Sequence, residues 1–214
     1  MKLAVLCSDS GHPVFPRLRS WRERMTARGH EVNLCASGSE LTAGDILFLV
    51  SCSEILPKSI RRRFRHTLAL HASDLPRGRG WSPHIWQIIR GARQIHLCLL
   101  EAGDRIDTGD IWFKDAFRLE GHELLPEINE KLFALELELM TRAVDGADTV
   151  APAAQVGEPG PYEIRRTPED SRLDPSKTIA EQFDLLRVVD NDRYPAFFEY
   201  RGKRYVIKIA KYEK

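Results

Sequence analysis

Leu68-Ala69-Leu70-His71-Ala72-Ser73-Asp74-Leu75-Pro76-Arg77-Gly78-Arg79-Gly80 carries an apolar strand pattern into a turn-rich loop, and the strand ends on a histidine. A second strand pattern, Gln94 to Leu100, is followed by Asp107-Thr108-Gly109-Asp110-Ile111. Open α/β sheets hold their ligands in crevices beyond the carboxyl ends of their strands. The pattern therefore predicts that His71 and Asp107 meet at one edge of a parallel sheet.

Outward from this stretch the chain alternates strands and helices. Lys2 to Cys7 reads as a buried strand and Val14 to Arg28 as an amphipathic helix with Trp21 and Met25 inward. His30 to Ala36 and Asp45 to Val50 supply two more strands, whose continuous apolar runs favour a doubly covered parallel sheet. Lys58 to Phe64 is a short helix, and its Arg61-Arg62-Arg63 run reads as solvated surface. Pro83 to Arg90 is a helix with proline in its first turn, Ile111 to Leu119 a strand, and Glu123 to Ala143 a long helix. Leu124, Ile128, Leu132, Leu135 and Leu139 form its core stripe. From Asp145 to Pro175 the composition shifts to Pro, Gly and charge, which marks an irregular crossing. Ser176 to Val188 predicts a serine-capped helix, and Ala196 to Tyr200 with Arg204 to Ala210 a hairpin. The expected fold is α/β, a mostly parallel sheet with helices on both faces plus a small C-terminal α+β hairpin module. The expected organisation is 1–145 and 146–214.

Composition sets bounds on partners. Among 214 residues, 32 Lys and Arg face 31 Asp and Glu, so no global field attracts nucleic acid or anionic lipid. Lys2 to Cys7 is too short for a signal-peptide core and no run reaches membrane-spanning length, so the expectation is a cytoplasmic protein with no membrane partner. Cys7, Cys35, Cys52 and Cys98 lack paired ligand spacing, which predicts buried free thiols and no metal. The loop Ser8 to His12, with Ser10, opens a helix and reads equally as a phosphate site or as a plain turn.

The stretch His71, Ser73, Leu75, Pro76, Arg79, Gly80, followed by Asp107-x-Gly109-x-Ile111, resembles the folate-dependent formyltransferases. Ile55-Leu56-Pro57 and Trp86 after Ser82-Pro83 fit the same pattern. The resemblance implies a Rossmann-like formyltransferase fold that uses N10-formyltetrahydrofolate, with an Asn, a His and an Asp as the catalytic set. The His falls on His71 and the Asp on Asp107, but the Asn position holds Ala69. The family's folate loops fall on Ser53, Glu54, Ile55 and Leu56 and on Glu101, Ala102, Gly103 and Asp104. Tyr162 to Ser171 is similar to a stretch of the UDP-4-amino-4-deoxy-L-arabinose formyltransferase domain. That likeness implies a nucleotide-amino-sugar substrate, and the long loop Ser73 to Pro83 looks like that of a subgroup formylating 4-amino-4,6-dideoxy sugars in surface-glycan biosynthesis. A homodimer formed through the tail is suggested by the same resemblance.

Formyl transfer to an amine needs a proton donor and a proton acceptor at one carbon. His71 suits the donor or shuttle and Asp107 its orienting carboxylate. By themselves, a strand-end histidine is more often structural and an Asp before Gly more often a turn residue. The diphosphate of a sugar nucleotide calls for cations, for which Arg77, Arg79, Arg165 and Arg166 are available or else solvated. Ser73, Thr67, a main-chain N–H of the 71–80 loop or a bound water is the candidate replacement for the missing amide, with water or main chain favoured, and Trp81 either stacks on a base or sugar or packs its loop. The competing expectations are glycinamide ribonucleotide or methionyl-tRNA as acceptor, the latter disfavoured by near-neutral charge and a short tail, and a binding protein without turnover, which Ala69 would permit.

Overall fold

Strands that are apolar on both sides need cover on both sides. The computed structural model describes residues 1–212. Its six-stranded sheet has β1 (Lys2–Leu6), β2 (Glu31–Cys35), β3 (Gly44–Leu49), β4 (Phe64–His71), β5 (Gln94–Glu101) and β6 (Ile111–Arg118) in the order β2-β1-β3-β4-β5-β6. β2, β1, β3 and β4 are mutually parallel, whereas β5 is antiparallel to both β4 and β6. The sheet is therefore mostly parallel, but the parallel run stops at the strand that carries His71.

This corrects the expected route by which His71 and Asp107 meet. Leu68 pairs with Glu101 and His71 with Cys98, so β4 and β5 have opposite carboxyl ends. Asp107 reaches His71 because the loop 102–110 doubles back over the sheet. Ala69 and His71 lie two residues apart on a strand and so face the same side.

The other face is the core. α1 (Phe15–Ala27) and α4 (Leu125–Asp145) cover it, burying Leu18, Trp21 and Met25 against Leu132, Leu139 and Met140 and against Val5, Phe48 and Leu68 of the strands. Trp21 is fully buried, donates its indole N–H to Thr141 Oγ1 at 2.9 Å and meets Phe48 edge-on. Burial of a side chain of that size contributes about 3 kcal/mol. The site face is covered only in part, by α2 (Lys58–Arg61) and loops, while α3 (Pro83–Ile89) packs Ile85 and Ile88 against Ile95 and Ile128 on the α4 side.

The tail differs locally from expectation. Asp174 Oδ1 accepts from the Ser176 N–H at 2.9 Å, and Thr178 exchanges hydrogen bonds with Glu181, so Ser176 closes a turn and caps no helix. Only a single 3₁₀ turn, Ala180–Gln182, and α5 (Phe183–Leu186) follow. β7 (Ala196–Tyr200) and β8 (Lys203–Ile207) form the predicted hairpin. Arg187 is fully buried, with its Nε bonded to Asp184 at 2.6 Å and its Nη1 to the Glu123 carbonyl at 3.4 Å, and so ties the tail to the start of α4. Cys7, Cys35 and Cys98 are buried free thiols, and Cys52 is half-buried. Among the described residues no helix is long and apolar enough to cross a membrane.

Candidate functional site

His71 is buried at the end of β4, with Nδ1 3.3 Å from Asp107 Oδ1 and Nε2 2.8 Å from the Gly78 carbonyl. Both ring nitrogens thus face acceptors, which only a doubly protonated ring can satisfy together. Asp107 Oδ2 accepts from the Gly80 N–H at 2.9 Å. The carboxylate therefore joins the histidine to the loop that follows it.

Two close approaches hold this arrangement. Asp107 has φ +58°, a region open to Asp more readily than to most side chains, and Gln155 Nε2 bonds both the Asp107 and Gly109 carbonyls, at 3.0 and 2.9 Å. At Gly109 a Cβ would lie 1.8 Å from the Glu101 carbonyl oxygen, so the returning loop has no room for any other residue there. Gly80 packs against the tail, where a Cβ would sit 2.3 Å from the Glu163 carbonyl oxygen. Glu163 N–H donates to the Arg79 carbonyl, its own carbonyl accepts from Trp81 N–H, and its buried carboxylate is bidentate to Arg90 at 2.5 and 2.8 Å. The stretch after residue 145 is thus a strap that pins both loops of the pair.

Two cavities meet at His71. The first, of about 390 Å³, is walled by loops: Ser53 to Leu56, Glu101 to Gly103, Arg105, Ile106 and Asp107, with Ala69 and Leu100 on its floor and Tyr162 from the strap. Its lining combines apolar side chains, among them Leu56, Ile55 and Ile106, the last two exposed, with the charged residues Glu54, Arg61, Glu101, Arg105 and Asp107. The second, of about 480 Å³, is walled by helices and the strap: Ser8, Asp9, His12, His84, Asn129, Phe133, Glu136, Arg165, Arg166, Asp190 and Arg193. His71, Gly80 and Trp81 line both.

Of the residues singled out in the sequence, Ser53, Glu54, Ile55, Leu56, Glu101, Ala102 and Gly103 line the loop-walled cavity, as do Ala69 and Asp107. Asp104 does not; its carboxylate is turned outward and paired with Arg61 and Lys58. Trp81, Arg165 and Arg166 line the helix-walled cavity, with the Arg165 guanidinium over the Trp81 ring at 5.0 Å. Ser10 is exposed and lies outside both cavities, while its neighbours Ser8 and His12 line one. Arg77 points to solvent and pairs with Asp74 at 3.5 Å. Arg79 and Ser73 also lie outside both cavities, and the buried Ser73 hydroxyl has no partner.

Sequence reasoning missed several lining groups. Arg61, read as solvated, is mostly covered: its Nη1 donates to the Ala102 carbonyl at 2.7 Å and its Nε to the Leu56 carbonyl at 3.2 Å, joining the two loops of the first cavity. Nothing in a three-arginine run distinguishes one buried member. Glu136 left a signal, since it sits four residues after Leu132 on the apolar stripe of α4. His84 and His12 are both held neutral by burial, His84 pushed down to about 4.

A buried histidine and carboxylate placed where two cavities meet is the arrangement of a group-transfer site. Residues 1–144 match the family described as formyl transferase, and the chain belongs to that family. The methionyl-tRNA formyltransferase of Rickettsia africae is 31% identical over 170 residues, covering 79% of this chain and 55% of that protein. The chain thus spans about half the length of the curated relatives it matches. In fold it is similar to a methionyl-tRNA formyltransferase from Clostridium thermocellum, with TM-score 0.83 and 24% identity over 100% of this chain and 94% of that one. A 4-N formyltransferase from Francisella tularensis superposes with TM-score 0.79 at 17% identity, over 100% and 98% of the two chains. HypX from Aquifex aeolicus in complex with tetrahydrofolic acid superposes with TM-score 0.78 at 19% identity, over 98% of this chain and 37% of that one.

Proposed function

We propose that the protein transfers a formyl group from N10-formyltetrahydrofolate to the amine of a nucleotide-linked amino sugar, of the 4-amino-4,6-dideoxy kind, across His71. The observation that carries this reading is the position of His71 in the wall between two cavities, each of a size that takes a small ligand. The loop-walled cavity fits the folate: a flat heterocycle with several donors and acceptors suits main-chain edges at 101–103 between the apolar side chains of Ile55, Leu56, Leu100 and Ile106. Bound there, the folate supplies a carbonyl carbon open to attack by an amine. The helix-walled cavity, roofed by Trp81, Arg165 and Arg166, takes the acceptor.

In this reading His71 gives up its contact with the Gly78 carbonyl and donates from Nε2 to the formyl oxygen. Asp107 holds the ring by Nδ1 and fixes its orientation. As the C–N10 bond breaks, the ring takes the proton from the attacking amine and passes one to the departing folate nitrogen. Ala69 brings no amide to this face, so a main-chain N–H or a water serves in its place, since Thr67 Oγ1 is engaged with the Arg61 carbonyl and Ser73 lies outside the cavity. Residues 1–145 form the catalytic unit, and 146–214 supply the strap and a hairpin for acceptor binding.

The relatives named methionyl-tRNA formyltransferases favour a second reading, with methionyl-tRNA as acceptor. The similarity of Tyr162 to Ser171 to the arabinose enzyme, and the roofed cavity over which this strap lies, favour the sugar. Incubation with N10-formyltetrahydrofolate and a panel of UDP-, dTDP- and GDP-amino sugars beside methionyl-tRNA, read by mass spectrometry, tests the choice. A product 28 Da heavier from an amino sugar alone is expected. Formylation of methionyl-tRNA alone overturns the sugar assignment, and no product anywhere overturns the enzyme.

A further inference from the structure

Glu136 lies on the inward stripe of α4 and is 6% exposed. Its carboxyl makes no hydrogen bond among the described residues, and Oε2 is sealed from solvent without a partner, although the residue lines the helix-walled cavity. A buried carboxylate left alone is costly, and a leucine would fill the stripe without that cost. Burial pushes the Glu136 carboxyl up to about 8.

The surrounding elements bring no free cation to it. From the end of β1, Cys7 is pushed up to about 11 by burial and stays a neutral thiol. In the following loop Asp9 pairs with Arg193 at 3.1 Å, and His12, lowered by burial, accepts from the Val14 N–H through Nδ1 and so is neutral. His84 on α3 is neutral, and His71 is committed to Asp107 and Gly78. From the strap, Arg165 lies over Trp81 and Arg166 bonds the Asp170 carbonyl, while Asp190 accepts from the Asp192 and Arg193 N–H groups. Left to itself the carboxyl stays neutral, and a cation able to pair with its ionised form has to arrive with a ligand.

We propose that Glu136 is a recognition site for a protonated primary amine and that, on the formyl-transfer reading above, this amine is the acceptor's. When the ammonium enters, the carboxyl ionises and its proton passes to solvent, leaving an ion pair. The amine then leaves its own proton on the carboxylate: one N–H bond breaks, one O–H bond forms, and a neutral nucleophile moves on toward His71. No oxidant or further reactant is involved. The site thereby selects amines over alcohols of the same shape and converts the unreactive form to the reactive one.

The test uses the intact chain and n-propylammonium chloride, with n-propanol as the neutral control and no folate present. Calorimetry in two buffers of different ionisation enthalpy at pH 7 should show release of about one proton per amine bound, with affinity rising about tenfold per pH unit from pH 6 to pH 7.5 and levelling above pH 8. The carboxyl carbon of Glu136, followed by NMR, should move to its ionised position as amine is added. Glu136→Gln, checked for fold by circular dichroism, should lose both effects. Equal amine binding by wild type and Glu136→Gln, binding without proton release, or a Glu136 carboxyl that titrates in the ordinary carboxylate range overturns the proposal. The two readings fail separately. Amine binding with proton release but no product from any acceptor removes formyl transfer and keeps the ammonium site. Product formation by Glu136→Gln with an unchanged pH profile of kcat/KM removes the ammonium site and keeps formyl transfer.

Discussion

The two cavities beside His71 are built in opposite ways. The loop-walled one draws nearly all its lining from residues 49–107 and sets apolar side chains beside a few charged ones. The helix-walled one gathers residues from the first loop, α3, α4, the strap and the segment before the hairpin, and presents histidines, carboxyls and arginines. A cavity built from one contiguous region suits one fixed ligand, and a cavity assembled from distant side chains is where the choice of a second ligand is made. Under the proposed function, the first fixes the donor and the second selects the acceptor.

The largest effect should come from His71 at the junction of the two. His71→Ala is expected to lower the transfer rate on the order of 1000-fold while leaving tetrahydrofolate affinity within about twofold, because the ring's work is on the proton and not on the pteridine. Rapid-quench turnover beside fluorescence titration separates the two quantities. A parallel loss of folate affinity would mean that His71 belongs to one cavity only.

Arg61→Leu sharpens the contrast from the donor side. Loss of the bonds to the Leu56 and Ala102 carbonyls frees both loops, and a charge-assisted bond contributes about 1.5 kcal/mol or more, so folate affinity should fall about tenfold or more. The acceptor KM should stay unchanged. If both parameters move together, the cavities are not independent.

What the sequence conveyed follows the same division. The strands of a mostly parallel sheet and the approach of Asp107 to His71 could be expected because each segment carries its own local pattern. The antiparallel β5 could not, since a buried apolar run has no written direction and only the pairing of Leu68 with Glu101 sets it. The strap's hold on Asp107 through Gln155 spans 48 residues and leaves no local periodicity. Arg61 was hidden among identical neighbours, and Ser10 and Arg77 had suitable chemistry but face solvent. Glu136 was visible as a charge on an apolar stripe, but its role depends on a cavity that exists only after folding.

A smaller effect is expected in stability. The Glu136 carboxyl is raised in the folded protein from an ordinary value of 4.5 to about 8, so its contribution is fully present below pH 4.5 and is lost as the pH climbs toward 8. Glu136→Gln should therefore raise the melting temperature by several degrees at pH 9 relative to wild type and change the difference in the opposite direction as the pH falls to 5. Differential scanning calorimetry across that range checks it, and a pH-independent difference would place Glu136 in contact with solvent.

The smallest effect is expected at Ala69. If a main-chain N–H or a water already serves the formyl oxygen, Ala69→Asn displaces a working donor and changes kcat by less than about tenfold. Steady-state kinetics that show a gain on the order of 100-fold would instead identify a site lacking that donor.

The division of labour at His71 is tested most directly by a crystal structure with 5-formyltetrahydrofolate, an unreactive analogue of the donor. The account predicts the pteridine between Ile55, Ile106 and the main chain of 101–103, the folate's N10 edge turned toward the His71 ring, and the helix-walled cavity left free. A folate seated among His12, His84 and Glu136, or one that leaves His71 bonded only to Gly78 and Asp107 with no ligand atom beside it, would contradict it.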